Sequence, residues 1–351
     1  MTFPLEIGVV GLGRTGWRNH LQNLRKLPEH FRVTAVVDPM ASRRQEAEAQ
    51  FQCRSYSDID GMLREGAPQW VVIATPTTLH REQASAALEA GAHVICEKPL
   101  APTLREAEEL IECAARNQRW LTVFHQNRYT ADFAKVREIV DSGILGRIFL
   151  IRSTWSSFTR RWDWQTLKKF GGGNLNNVGP HALDQLLQLL GDQELEVSCQ
   201  MDRILSAGDA DDHVKILLRG TNGLVVDLEL SSADAIGDLR WKVYGSTGGL
   251  AGTTEHLNWK YFDPSKVVDL RVDERAPADR SYNSEALPWK EGAWQKSRET
   301  ESAHLLYYKN LCEQLARGCP PQITATDALR VLSITEKCRR VAGIDFTQLS
   351  R

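Results

Sequence analysis

Lys98 stands between Glu97 and Pro99 directly after the apolar run His93 to Cys96, and far along the chain His181 lies between Asn177 and Asp184. A lysine withheld from water can donate to a carbinol oxygen, and desolvation shifts its own pKa or its neighbour's. Pro99 restricts Lys98 to an extended backbone, which aims the side chain out of the run. If the second segment is helical, Asn177, His181 and Asp184 fall at i, i+4 and i+7, on one face of one helix. Pro180 removes a backbone hydrogen bond there, which allows a kink or a late helix start. Each group also has a plainer reading, as a solvated loop lysine or as a polar helix face whose members satisfy one another.

The opening residues Ile7-Gly8-Val9-Val10-Gly11-Leu12-Gly13-Arg14-Thr15-Gly16 set three glycines between an apolar run and a helical period. The first permits a tight turn, the second lets backbone approach a pyrophosphate, and the third lets helix and strand pack closely. A helix N-terminus then offers free N–H groups and partial positive charge to a diphosphate. Asp38 closes the next apolar run, about twenty residues beyond the last glycine. A carboxylate there accepts two hydrogen bonds from an adenosine ribose and repels a 2′-phosphate, which favours NAD over NADP. Arg43 and Arg44 pull the other way if a guanidinium holds that phosphate, and are otherwise solvated charges on a surface helix. A third run ends in Ala74-Thr75-Pro76-Thr77-Thr78-Leu79-His80, where Thr75 and Pro76 line the nicotinamide half and Thr77 or Thr78 is equally an N-cap. The candidate cofactor contacts are Gly11, Leu12, Gly13, Arg14, Thr15, Gly16, Asp38, Thr75, Pro76, His80, Glu97, Lys98 and Asn127.

To bring these groups together the chain must fold in layers. Up to about Phe124, short β-branched runs (Leu5 to Val10, Val33 to Val37, Trp70 to Ala74, His93 to Cys96, Trp120 to Phe124) alternate with helical periods. The helices are expected near Thr15 to Leu27, Ala41 to Phe51, Thr78 to Ala90 and Thr103 to Asn117. Runs too apolar to leave one face in water imply a parallel sheet covered on both faces. After about Gln126 the pattern changes. A helix over Ala131 to Ser142, a strand over Arg147 to Thr154 and a helix over Asn174 to Leu190 precede alternating strands at Val197 to Ile204, Asp212 to Leu218, Leu224 to Leu230 and Arg240 to Gly245. Successive strands without intervening helices imply an antiparallel or mixed sheet open on one face. Pro264 to Ala293 read as a polar excursion, and helices at Ser302 to Arg317 and Thr326 to Val341 close the chain, with Thr324 or Thr326 available as N-cap.

The 351 residues suit two domains, 1–125 and 126–351, with the C-terminal helix free to pack back on the first. A net charge of -2 offers no basic field for nucleic acid, so a small-molecule partner is favoured. No run of about 18 apolar residues exists, and Met1-Thr2-Phe3-Pro4-Leu5-Glu6 lacks the marks of a signal peptide; a cytoplasmic protein without membrane segments is expected. The seven cysteines show no C-x-x-C spacing, so neither a disulfide framework nor a metal site is expected.

The glycine turn, Asp38, Ala74-Thr75-Pro76, Glu97-Lys98-Pro99, Asn127-Arg128, the segment Gly171-Gly172-Gly173-Asn174 through Asp184 and the helices after Ser302 together resemble the Gfo/Idh/MocA family over nearly the whole chain. The resemblance implies a Rossmann doubly wound parallel sheet and a C-terminal α/β domain with an open, mostly antiparallel sheet. That sheet often serves oligomerisation, here as a homodimer or homotetramer. It further implies hydride transfer to or from a sugar or cyclitol, with the lysine of Glu-Lys-Pro and an aspartate and histidine four residues apart at the reaction. Lys98 and His181 match, whereas Asn177 stands where the aspartate is expected. An amide cannot take up a proton at neutral pH, so Asn177 can only orient its neighbours. His181 is then the general base and Lys98 stabilises charge on the oxygen. Asp184 either holds the imidazole tautomer or forms a salt bridge.

Arg128 and Asn127 are expected to face the cleft, Arg128 toward a hydroxyl-rich or anionic ligand. Trp162, Asp163 and Trp164 lie just before the glycines, where indole faces pack on a sugar or else cover the interdomain core. The expected reaction is oxidation of a secondary alcohol on a sugar, glycoside or cyclitol, with hydride passing to NAD. A glycosidase that oxidises its sugar transiently with the cofactor retained, and a non-catalytic nucleotide-sensing regulator, stay open as alternatives.

Overall fold

Six short strands, five of them apolar on both faces over most of their length and the edge strand β3 polar, build the first sheet: β1 (Leu5–Val10), β2 (Phe31–Val37), β3 (Arg54–Tyr56), β4 (Trp70–Ile73), β5 (His93–Cys96) and β6 (Leu121–Val123). All pairs are parallel in the order β3-β2-β1-β4-β5-β6. The order reverses between β1 and β4, where a doubly wound sheet opens its ligand crevice. The crossovers are α1, wound as a π-helix over Gly16–Leu21 and α-helical over Gln22–Leu24, then α2 (Ala41–Phe51), α3 (Ile59–Arg64), α4 (His80–Glu89) and α5 (Leu104–Arg116). The computed structural model describes residues 3–275, 280 and 282–343.

Three expectations need correction here. Helix α1 stops at Leu24 rather than Leu27, with Arg25 as its C-cap; Pro28 keeps Leu27, the residue before it, out of helical backbone. Strand β3 and helix α3 were not anticipated, since three residues are too few for a period to show. Neither Thr77 nor Thr78 caps α4 through its side chain; both lie in a 3-10 turn, Thr77–Leu79, that leads into it. By contrast α5 begins on a capping box in which Thr103 Oγ1 accepts from Glu106 N at 3.2 Å and the Glu106 carboxylate accepts from Thr103 N at 3.1 Å.

The second half contains α6 (Ala131–Asp141), β7 (Ile148–Ser156), α7 (Asn174–Asn177) and α8 (Gly179–Leu190), followed by β8 (Leu195–Asp202), β9 (His213–Gly220), β10 (Val225–Ser231) and β11 (Trp241–Gly245). Strands β12 (Gly248–Gly252), β13 (His256–Tyr261) and β14 (Lys290–Gln295) extend the sheet to eight, in the order β14-β13-β12-β11-β7-β10-β9-β8. Only the β7–β10 pair is parallel. The last three strands were missed: β12 is rich in glycine, and β14 falls at the end of what reads as a polar excursion, of which 276–279 and 281 lie outside the described residues.

One face of this sheet is covered. Ile216, Val226, Leu228, Trp241 and Val243 pack with Phe133 and Val136 of α6 and Leu183 and Leu186 of α8. The other face is open and carries the half-exposed Phe149, Leu217 and Tyr244. A concavity of about 750 Å³ on that face is walled by Tyr244, Trp259 and Trp289, away from Lys98 and His181.

The chain ends by crossing back. In α9 (Ala303–Ala316), Tyr307, Tyr308, Leu311 and Leu315 enter the core of the first sheet beside Leu21, Leu24 and Phe124. Helix α10 (Ala325–Val341), capped by Thr324, sends Ala325, Ala328 and Leu332 to the first core and Val331, Ile334 and Cys338 to the second. A division at residue 125 therefore describes the sequence better than the packing. Among the described residues no helix is long and apolar enough to cross a membrane.

Candidate active site

At the carboxyl end of β1 the backbone turns through Gly11, whose φ of +92° places it where an L side chain is strained. A Cβ at Gly16 would stand 1.8 Å from the Gly11 carbonyl oxygen, so helix and turn can approach only with glycine there. At Gly13 a Cβ would meet nothing within 4 Å, leaving open space above the turn. Asp38, 2% exposed, anchors the turn by accepting from Leu12 N at 2.8 Å, and accepts from Met40 N at 2.9 Å. Arg43 reaches the same carboxylate at 3.3 Å, while Arg44 donates to the Asp38 carbonyl at 2.8 Å. An open backbone cradle at a helix N-terminus, with a carboxylate at the end of the next strand, fits a dinucleotide.

Lys98 leaves the end of β5 and crosses to the second half. Its Nζ donates to the Asn177 carbonyl at 2.8 Å. Burial lowers its pKa, as does the charge of Arg14, against the opposing pull of Glu97. Glu97 itself is fully engaged: Oε1 accepts from His20 Nε2 at 3.1 Å and Oε2 from Lys98 N at 3.1 Å. Burial pushes the Glu97 carboxyl up, but the His20 hydrogen bond and the charges of His20 and Lys98 outweigh it and leave the pKa below its usual value. His20 Nδ1 in turn meets the Tyr308 hydroxyl at 2.7 Å, so a network begun on α1 is closed by α9.

The helix expected over Asn174 to Leu190 breaks at Val178, and Pro180 falls in the first turn of α8, where its missing N–H costs nothing. Asn177 thus ends α7 while His181 starts α8, so they do not share one continuous helix. Asn177 Nδ2 donates to the Gln165 carbonyl at 3.4 Å, and its main chain holds Lys98. His181 Nδ1 is buried without a partner among the described residues. Burial, then the charges of Lys98, His125, His304 and Arg240, hold the His181 pKa well below its ordinary 6.5. The imidazole is neutral at neutral pH and can accept a proton.

Several expected site residues have other partners. Asp184 does not hold the His181 tautomer: it pairs with Arg128, whose Nε lies 2.7 Å from Oδ2. Arg128 also reaches Asp327 at 3.1 Å, so its guanidinium is engaged by two carboxylates. His80 is 1% exposed, with Nδ1 at 2.9 Å from the Pro99 carbonyl and Nε2 at 2.9 Å from that of Thr75. It braces the loop after β4 against the loop behind Lys98. Glu97, for the same reason of saturation, supports Lys98 from the interior. Thr75 Oγ1 donates to Gln83 at 2.7 Å. Asn127 bonds through its carbonyl, which accepts from Gln185 Nε2 at 2.6 Å.

Trp162 is 83% exposed and Trp164 48%, so neither covers an interdomain core; Asp163 is held by Arg161 at 2.7 Å and caps the turn that follows. Residues that sequence reasoning missed are His20, Tyr308, His125, Trp155, His304 and Arg240. All are single polar or aromatic residues outside any motif, brought in by long-range packing.

Proton-transfer groups converging at the crevice of a doubly wound sheet mark an NAD(P)-dependent dehydrogenase, and comparison with known proteins carries this further. Residues 5–125 match the model of an oxidoreductase family with an NAD-binding Rossmann fold, and residues 133–251 match the GFO/IDH/MocA C-terminal domain. The chain belongs to the Gfo/Idh/MocA oxidoreductase family. It is 31% identical over 255 residues to an oxidoreductase of Schizosaccharomyces pombe, covering 70% of this chain and 69% of that one. It is 25% identical to a scyllo-inositol 2-dehydrogenase (NADP(+)) of Bacillus subtilis, over 95% of this chain and 92% of the relative. Among solved structures, levoglucosan dehydrogenase in complex with NADH and levoglucosan has the same fold, with TM-score 0.79, 20% identity and 97% of each chain covered.

Proposed function

We propose that this protein oxidises a secondary alcohol of a sugar, glycoside or cyclitol, with NAD preferred as hydride acceptor. The observation that carries this reading is the convergence of Lys98 and His181, the lysine fastened across the cleft to the Asn177 carbonyl and the histidine held neutral. Relatives named for inositol and levoglucosan support the polyol class. Bound NAD would be held by the glycine turn and Asp38, and would supply the electron sink for the carbinol hydride.

His181 accepts the hydroxyl proton, and Lys98, short of water, donates a hydrogen bond that stabilises negative charge developing on that oxygen. Asn177 positions Lys98 through its main chain, while its side-chain amide holds the Gln165 carbonyl. Asp38 supports NAD over NADP because its carboxylate occupies the ribose side, although Arg43 beside it softens that preference. The open sheet face, with exposed Phe149, Leu217 and Tyr244, supports a homodimer or homotetramer.

The test is the appearance of reduced nicotinamide with purified protein, NAD or NADP, and a panel of inositols, hexoses, uronates, anhydrosugars and glycosides. Net reduction with one class supports the dehydrogenase. Substrate turnover without net reduction would replace it by the retained-cofactor glycosidase, and nucleotide binding with silence across the panel by the regulator.

A further inference from the structure

We propose that the substrate is a polyhydroxy acid whose carboxylate is held by Arg240, on the cleft wall that Trp155 shares with His181. This rests on the dehydrogenase reading and adds the charge of the substrate to it. Arg240 stands just before β11, its carbonyl accepting from Thr154 N of β7 at 3.1 Å. Its guanidinium carbon lies 2.9 Å from the centroid of the Trp155 ring and 5.8 Å from that of Trp241. The Trp155 ring is within 10° of parallel to the His181 imidazole at a centroid distance of 6.5 Å. Arginine, indole and proposed base therefore form one wall.

That guanidinium is unspent. Its Nε is buried without a partner, and among the described residues Arg240 makes no side-chain hydrogen bond or ion pair. The carboxylate whose charge reaches it, Asp132, accepts instead from Trp241 Nε1 at 2.9 Å. Burial lowers its pKa to about 9, which leaves it charged at neutral pH. Arg128, enclosed to a similar degree nearby, shows the alternative, with two carboxylates bound. A desolvated cation with no anion is costly, and an acidic ligand removes the cost.

A stacked planar fork suits a carboxylate, which it meets with two parallel hydrogen bonds. Lys98, the other cation at this wall, is committed to Asn177 and the carbinol, so one cation remains for one negative charge. A phosphate dianion would want more. The acid class is thus a uronate or aldonate with a ring or chain hydroxyl presented to His181.

The experiment compares kcat/KM of the wild-type enzyme, with saturating NAD or NADP, for D-glucuronate, D-galacturonate and D-gluconate against the neutral methyl esters of the uronates, D-glucose, D-galactose and inositols. The best acid should exceed its neutral counterpart about 100-fold, and Arg240→Met should lower that acid-to-neutral ratio by a similar factor. Arg240→Lys should recover part of the loss. A neutral polyol used as well as any acid, or equal loss for both in Arg240→Met, would overturn the proposal.

If Arg240→Met does not fold, the wild-type acid-to-ester ratio and Arg240→Lys decide alone. If no compound reduces the cofactor, the dehydrogenase reading fails by itself. Titrating glucuronate and glucose into the nucleotide complex, read by tryptophan emission, then tests Arg240 independently. Tighter binding of the acid supports the proposal and equal binding overturns it.

Discussion

Two polar clusters meet at the cleft and are finished to different degrees. Around Glu97 the chain of partners is closed: His20, Tyr308 and the Lys98 amide satisfy one another, and His80 lies between two carbonyls, to one of which its neutral ring donates. Around His181 the accounts stay open, with His181 Nδ1, Trp155 Nε1, Arg240 Nε and both ring nitrogens of His125 buried and unpartnered among the described residues. Buried polar groups in native proteins are rarely left so, and a concentration of them marks where a ligand completes the structure. The closed cluster holds shape, and the open one awaits chemistry.

Substitutions can break that contrast. Lys98→Ala, which touches both clusters, should lower turnover by about 10³- to 10⁴-fold with NAD affinity nearly unchanged by fluorescence titration. Retained turnover would remove Lys98 from the reaction. His181→Ala should cost about 10²- to 10³-fold in kcat while the melting temperature holds, because nothing is paired with Nδ1.

The Arg128 network should behave in the opposite way. Asp184→Asn leaves a buried guanidinium partly unpaired and should destabilise the protein by about 3 kcal/mol in denaturant titration, with KM little altered. An unchanged midpoint would show that Asp327 alone suffices. The smallest effect is expected at Asp38→Ala, about tenfold in the NADP-to-NAD ratio of kcat/KM, one charge-assisted hydrogen bond's worth.

The pH profile sharpens the same contrast. Burial and surrounding cations place the His181 pKa below 6.5, and burial places that of Lys98 below 10.5. For alcohol oxidation the base must be neutral and the lysine charged. The kcat/KM profile should therefore have its acid limb below pH 6.5 and its alkaline limb below 10.5. An acid limb above 6.5 would exclude His181 as the base.

The closed cluster was half legible in the sequence, and the open one hardly at all. Glu97-Lys98-Pro99 and the glycine turn are contiguous, because a strand end and the turn after it supply both position and chemistry. His20 and Tyr308 sit 288 positions apart and meet only through packing of α1 against α9, which no local period records. Trp155 and Arg240 look like ordinary strand residues until β7 and β11 pair. Pro180 signalled the break in the helix before His181, but not that the Asn177 carbonyl would hold Lys98. The fold class was readable through most of the first sheet, whose strands other than β3 are apolar on both faces. It faded at β12 to β14, where glycines and an exposed edge weaken alternation.

The return of α9 to the first core sets the order of assembly against the order of synthesis. The nucleotide-binding half is translated first, yet Tyr307, Tyr308, Leu311 and Leu315 of its core come from the far side of the second sheet. A nascent chain released through β14 carries every residue of the glycine turn and still lacks the hydroxyl that finishes the His20–Glu97 pair. Excising residues 1–125 as a nucleotide-binding module would leave an apolar scar along α1 and Phe124, so the two halves are partners in folding before they are partners in catalysis.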